Sequence, residues 1–152
     1  MLPTEPPHLF EMFDLGMMHY FFDIRVVQSS DGIFISQKKY VEDILDWFQL
    51  KGCNPVNTPV ECGLKLHKDH VGKKVDNTLY KQIVGSLMYL NATRLDIIYS
   101  VSLISRHMEN PIELHLLVAK RIIYYLQGTR DFRIFYKKGV KSNLLDLLTV
   151  VL

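Results

Sequence analysis

Cysteine is scarce in this chain, and long apolar runs are missing altogether. Only Cys53 and Cys62 occur among 152 residues, too few for the dense, paired set that staples a small secreted domain. A reducing intracellular setting, cytoplasmic or nuclear, is therefore the expectation, and no basic-then-apolar leader is legible. The longest apolar stretch, residues 144–152, is interrupted by Asp146 and falls far short of the roughly 20 residues that cross a bilayer. No membrane association is expected. Excess charge is missing too, since 18 Lys and Arg stand against 16 Asp and Glu. The chain also has no Gly-rich phosphate loop, no nucleophile elbow and no H-E-x-x-H pair. Two-metal nucleotidyl transfer needs carboxylates that hold two ions about 4 Å apart, and the acids do not supply such a set. Asp43 and Asp46 fall on the polar face of an amphipathic helix, and Asp96 reads as a helix cap. No catalytic residue and no metal site is assigned.

What is present is enough apolar sequence, 48% of the chain, for one domain with a real core. Prolines at 3, 6 and 7 make residues 1–9 a loose lead. From Met18 the sequence alternates, placing Tyr20, Phe22, Ile24 and Val26 on one strand face, and Ser29-Ser30-Asp31-Gly32 supplies a turn into Ile33-Phe34-Ile35. That pattern predicts a β-hairpin. Ser36 is placed to cap a helix carrying Tyr40, Val41, Ile44, Leu45 and Phe48. Gly52 and the Asn54-Pro55 and Thr58-Pro59 pairs then force an extended connection, followed by a polar loop over residues 61–75.

Three further helices are predicted. The first, over residues 78–90, turns Leu79, Ile83, Val84 and Leu87 inward, with Gly85-Ser86 permitting a neighbour to approach closely. The second opens on a capping box, Thr93-x-x-Asp96, and carries Ile97, Val101, Ile104 and Met108. The third has Asn110 as cap, Pro111 at its first position and Glu113 near the positive end of the dipole, and stops at Gly128. Residues 132–136 read as a strand, and 144–152 as strand or helix. The fold class is α+β: a β-hairpin, about four helices, and a C-terminal strand or hairpin.

Two constellations invite a functional reading. Cys53, Cys62, His67 and His70 offer zinc-type donors, but eight residues separate the cysteines, where structural zinc sites pair ligands much more closely. A packed Cys53 with surface histidines is the preferred reading. The second is a cationic segment: residues 111–141 carry seven Lys and Arg against Glu113 and Asp131, while residues 1–110 carry 11 against 13 acids. Such a cluster attracts a polyanion or is simply a solvated helix face.

Several strings in this sequence resemble, in order, the reverse transcriptases of copia-type LTR retrotransposons. They are Phe10-Glu11-Met12, Asp14-Leu15-Gly16 and Tyr20-Phe21; the Gly32 to Gln37 run with Lys39-Tyr40; Cys53-Asn54-Pro55-Val56 with Thr58-Pro59; and Tyr80, the Ile83 to Leu90 run and Ala92-Thr93-Arg94. Ser105-Arg106, Met108, Pro111, His115, the Ala119 to Ile122 run, Tyr125-Leu126 and Gly128-Thr129 complete the likeness. It implies that residues 10–136 are the primer-grip, thumb and connection part of a Pol polyprotein, with 137–152 a divergent tail. The polymerase carboxylates, and the Mg they bind, would belong to a palm that precedes this stretch, and ribonuclease H would follow it. The resemblance makes Tyr20, Phe21 and Phe22 primer-grip-like. It makes Lys120, Arg121, Tyr124, Arg94 and Arg106 the expected contacts to an RNA–DNA hybrid or duplex. Palm and ribonuclease H parts of the same polyprotein would be further partners. The expectation is a partial, non-catalytic piece of an RNA-directed DNA polymerase that retains sequence-independent nucleic-acid binding; the alternative is a structural or interaction module that binds none. Asp23 stands where the family has glycine, Leu95 where it has proline and Leu116 where it has tryptophan.

Overall fold

The computed structural model describes residues 20–21, 23–67, 71–139 and 149–151; the motif at residues 10–16 and the loose lead lie outside them. Strands β1 (Tyr20–Phe21), β2 (Ile24–Gln28) and β3 (Gly32–Ser36) are followed by helices α1 (Lys38–Trp47), α2 (Asn77–Leu90), α3 (Ile98–Ser105) and α4 (Glu113–Gly128), then by β4 (Arg133–Lys137) and β5 (Thr149–Val151). The fold is α+β. Among the described residues five strands form one antiparallel sheet in sequence order.

The hairpin between β2 and β3 forms where the turn residues predict it, and Ser29 closes it by donating its hydroxyl to the Gly32 carbonyl at 3.1 Å. The strand predicted to run unbroken through Tyr20 and Val26 is instead two strands. Tyr20 pairs with Arg25 and Phe21 with Ile24, because the chain reverses at Asp23, whose φ is +62°. Glycine takes that conformation freely, and Asp is among the few other residues that tolerate it. Asp23 thus meets the backbone demand of the position where the family carries glycine.

Helices α1 to α4 share one core. Ile44 and Leu45 of α1, Ile83, Val84 and Leu87 of α2, Ile104 of α3, and Ala119, Ile122, Ile123 and Leu126 of α4 are all at most 1% exposed. Leu79, expected inward, is 36% exposed. Its neighbour Tyr80 takes the interior position and donates its hydroxyl to the Ile104 carbonyl at 2.6 Å.

Three predicted caps are displaced: Ser36 by its pairing with Arg25 in the sheet, the other two by hydrogen bonds with distant segments. Ser36 ends β3, and α1 starts after Gln37, whose buried side chain accepts the Thr93 hydroxyl at 2.6 Å. That bond withdraws Thr93 from its expected capping box. Leu95–Ile97 forms a short 3-10 turn ahead of α3. The helix expected to begin at Pro111 begins at Glu113, because Lys74 bridges to Ile112 and the Val75 N–H donates to the Pro111 carbonyl at 3.1 Å. Its first turn is closed by His115, whose Nδ1 accepts from the Ile112 N–H at 3.2 Å. Among the described residues no helix is long and apolar enough to cross a membrane.

Candidate functional site

Arg94 follows the end of α2, and its side chain is only 2% exposed. It grips Asp96 with two parallel bonds, Nε to Oδ1 at 2.9 Å and Nη2 to Oδ2 at 2.6 Å. Two more reach the C-terminus of α4: Nη1 to the Thr129 carbonyl at 3.1 Å and Nη2 to the Thr129 hydroxyl at 2.7 Å. A cation there also complements the negative end of the helix dipole. Tyr125 donates to the same Asp96 Oδ2 at 2.7 Å, and the Phe132 ring lies 5.1 Å from the guanidinium carbon. The geometry makes Arg94 a tie between two helices, with no charge presented to solvent.

Burial alone would raise the Asp96 carboxyl, but the Arg94 guanidinium and the Tyr125 hydroxyl together hold it below its ordinary value. The Tyr125 phenol is pushed up to about 12, first by burial and then by the Asp96 carboxylate. A raised phenol contributes stability that is complete below its ordinary value of 10.0 and lost as pH climbs through about 12. The urea midpoint should therefore fall between about pH 10 and about pH 12, and Tyr125→Phe should remove part of that fall. Part would persist, because burial also raises Tyr80. Identical pH profiles for parent and variant would contradict the assignment.

The cations expected to act together on α4 are divided by the fold. Arg121 leans onto the loop before α2, its guanidinium 3.3 Å from Glu61 and donating to the Thr58 hydroxyl at 3.1 Å. Tyr124 lines the same hollow, with Val56, Leu64 and Leu117. Lys120 faces the other way, into a depression lined by Trp47 of α1 and Leu79 and Ile83 of α2. Arg106 is exposed beyond α3, beside Glu109 and Asn110. Tyr20 and Phe21 form β1, and Phe22 lies outside the described residues.

Sequence reasoning noticed Gly85 but assigned it to helix packing. It lies on the outer face of α2, and among the described residues nothing comes within 4 Å of where its Cβ would be. Lys81 stands one turn before it and Tyr89, 42% exposed, one turn after. Glycine in the middle of a helix costs roughly 1 kcal/mol against alanine, and packing among the described residues does not account for that cost. The signal available in the sequence was the four-residue spacing of Lys81, Gly85 and Tyr89 opposite Ile83, Val84 and Leu87.

Among the described residues no group of three or more His, Cys, Asp or Glu is placed to hold a metal. The Mg that the resemblance implies therefore finds no fitting set of donors among them. Cys53 is half-buried and Cys62 exposed, both as free thiols; His70, the last of the zinc candidates, lies outside the described residues.

Comparison with known proteins gives a consistent result. The chain is 41% identical over 135 residues to the Retrovirus-related Pol polyprotein from transposon RE1 of Arabidopsis thaliana, which aligns 89% of this chain with 9% of that protein. It is 39% identical over 127 residues to the corresponding polyprotein from transposon RE2 of the same plant, covering 84% of this chain and 9% of the relative. An uncharacterized mitochondrial protein of Arabidopsis thaliana is 36% identical over 136 residues, and there the match spans 89% of this chain and 56% of the relative. The chain thus corresponds to a segment of each of these proteins. No protein-family model matches it, and no solved structure does.

Proposed function

We propose, for a chain that belongs with the Pol polyproteins of copia-type retrotransposons, that it is the part of an RNA-directed DNA polymerase that holds the template–primer duplex. The observation that carries this reading is Gly85. A helix face without a Cβ at its midpoint lets a sugar–phosphate backbone come against the helix backbone itself. Lys81 and Tyr89 flank that notch, one supplying charge and the other a ring. Contacts of this kind position a duplex and carry no base information.

On α4, Lys120 faces α1 and α2 while Arg121 faces the loop before α2, so the two would meet different phosphates and not one stretch of contact. The Arg121–Glu61 pair is partly open to solvent, Glu61 being 67% and Arg121 29% exposed, and exposed pairs are worth little, so a phosphate can replace the carboxylate. Arg94 has no part in this face. The metal-binding carboxylates belong to another part of the polyprotein, and this segment contributes no catalytic residue. The test is binding of a labelled RNA–DNA hybrid across a salt series. Each neutralised phosphate contributes a slope of about −0.9 in log K against log salt for B-form DNA, so changing Lys120 and Arg121 together to Ala should flatten the slope by up to about two units. Alanine keeps the helix. An unchanged slope in a variant whose circular dichroism matches the parent would make these cations mere solvated surface and favour an interaction module that binds no nucleic acid.

A further inference from the structure

Successive side chains of a strand point to opposite faces of a sheet, and the register here sorts them cleanly. Val26 pairs with Ile35, and Ile35 with Ile134; Ile134 is 1% exposed, which marks their face as the covered one. On the opposite face Val27, Phe34 and Phe135 form one cross-strand row. Arg25 and Arg133 fall on one side of that row and Lys137 on the other, all three exposed. The Phe34 and Phe135 rings stack with centroids 4.5 Å apart, and the Arg133 guanidinium carbon lies 4.5 Å from the Phe34 centroid. Gly32 makes room for this arrangement, since a Cβ there would come within 2.8 Å of the Phe135 ring.

The strands of this face contribute charge of one sign. β2, β3 and β4 contain no Asp or Glu. The acids lie at the margins of the face: Asp23 and Glu42 share a hollow with Arg25, Asp31 shares one with Phe135 and Lys137, and Asp131 is engaged by Lys38. Half-exposed rings, a guanidinium plane and surrounding cations are the elements that hold unpaired bases by stacking and their phosphates by charge. Paired bases are already stacked within a duplex and do not use such a platform.

We propose that the outer face of the sheet binds single-stranded nucleic acid, with bases stacked on Phe135 and on the Arg133 guanidinium over Phe34, and phosphates held by Arg25, Arg133 and Lys137. This rests on the nucleic-acid reading of the chain but uses a surface separate from α2.

The test uses the full chain with two probes, a labelled oligothymidine and a blunt RNA–DNA hybrid. Changing Phe34 and Phe135 together to Leu keeps apolar side chains while removing the rings, and should weaken oligothymidine binding about tenfold or more while sparing the hybrid. Changing Arg25 and Arg133 together to Gln should flatten the single-strand salt slope by roughly 1.4, or about 0.7 per phosphate. The Gln pair decides the matter alone if the Leu pair fails to fold. A parent chain that binds hybrid but not oligothymidine overturns the inference and leaves the α2 reading intact. So does single-strand binding that is unchanged in folded variants, whether or not a protein partner is later found on this face. A parent that binds oligothymidine through these residues but ignores the hybrid supports the inference and removes the duplex reading.

Discussion

Replacing Arg94 with alanine should destabilise the fold by about 3–5 kcal/mol, the usual penalty for deleting one partner of a buried ion pair. The reason is what stays behind. Asp96 would keep its negative charge beside Tyr125 without the guanidinium that holds both its oxygens, and Thr129 would lose donors to its carbonyl and its hydroxyl. Against a total stability of about 5–15 kcal/mol this is a large fraction. Arg94→Lys should recover little, because an ammonium cannot make the parallel pair of bonds or lie flat near the rings of Tyr125 and Phe132. Urea unfolding followed by circular dichroism measures the loss, and a cost below about 1 kcal/mol would mean that the network is dispensable. It follows that weaker nucleic-acid binding by an Arg94 variant should track its unfolded fraction rather than a lost phosphate contact.

Arg94 also shows where sequence reading stops. Its charge and its place in a family motif suggested a surface contact, because nothing local to the Asn91–Asp96 stretch reveals that Thr129, Tyr125 and Phe132 converge on it from the far end of α4. The three displaced caps have the same cause. Ser36, Thr93 and Asn110 each carry a sound local signal, but Arg25, which pairs with Ser36, Gln37, which bonds Thr93, and Lys74, which bridges Ile112, compete for those segments from elsewhere in the fold. Lys120 and Arg121 illustrate a finer limit. Adjacent helical residues point about 100° apart, and only the packed loop and the neighbouring helices decide that one faces Trp47 and the other Glu61. What was legible depended on neighbours close in sequence. The hairpin turn at Ser29 to Gly32 and the end of α4 at Gly128 stand as the pattern predicts.

The second large effect is expected at Gly85, where stability and binding should move in opposite directions. Nothing among the described residues crowds the position, so alanine or leucine should stabilise α2 by roughly 1 kcal/mol through helix propensity alone. The same side chains would fill the notch through which a duplex meets the helix backbone. Intruding into a packed contact costs about 1–3 kcal/mol, so hybrid affinity should fall several-fold for Gly85→Ala and tenfold or more for Gly85→Leu. Lys120 and Arg121 would be untouched, leaving the salt slope near that of the parent.

The most direct measurement is therefore a paired one on the parent, Gly85→Ala and Gly85→Leu chains: melting temperature, and affinity for the same RNA–DNA hybrid at one salt concentration. The account predicts melting temperatures that rise above the parent's while affinity falls in the order parent, alanine, leucine. Raised melting temperatures with unchanged affinity would contradict it, because the outer face of α2 would then not be where the duplex binds.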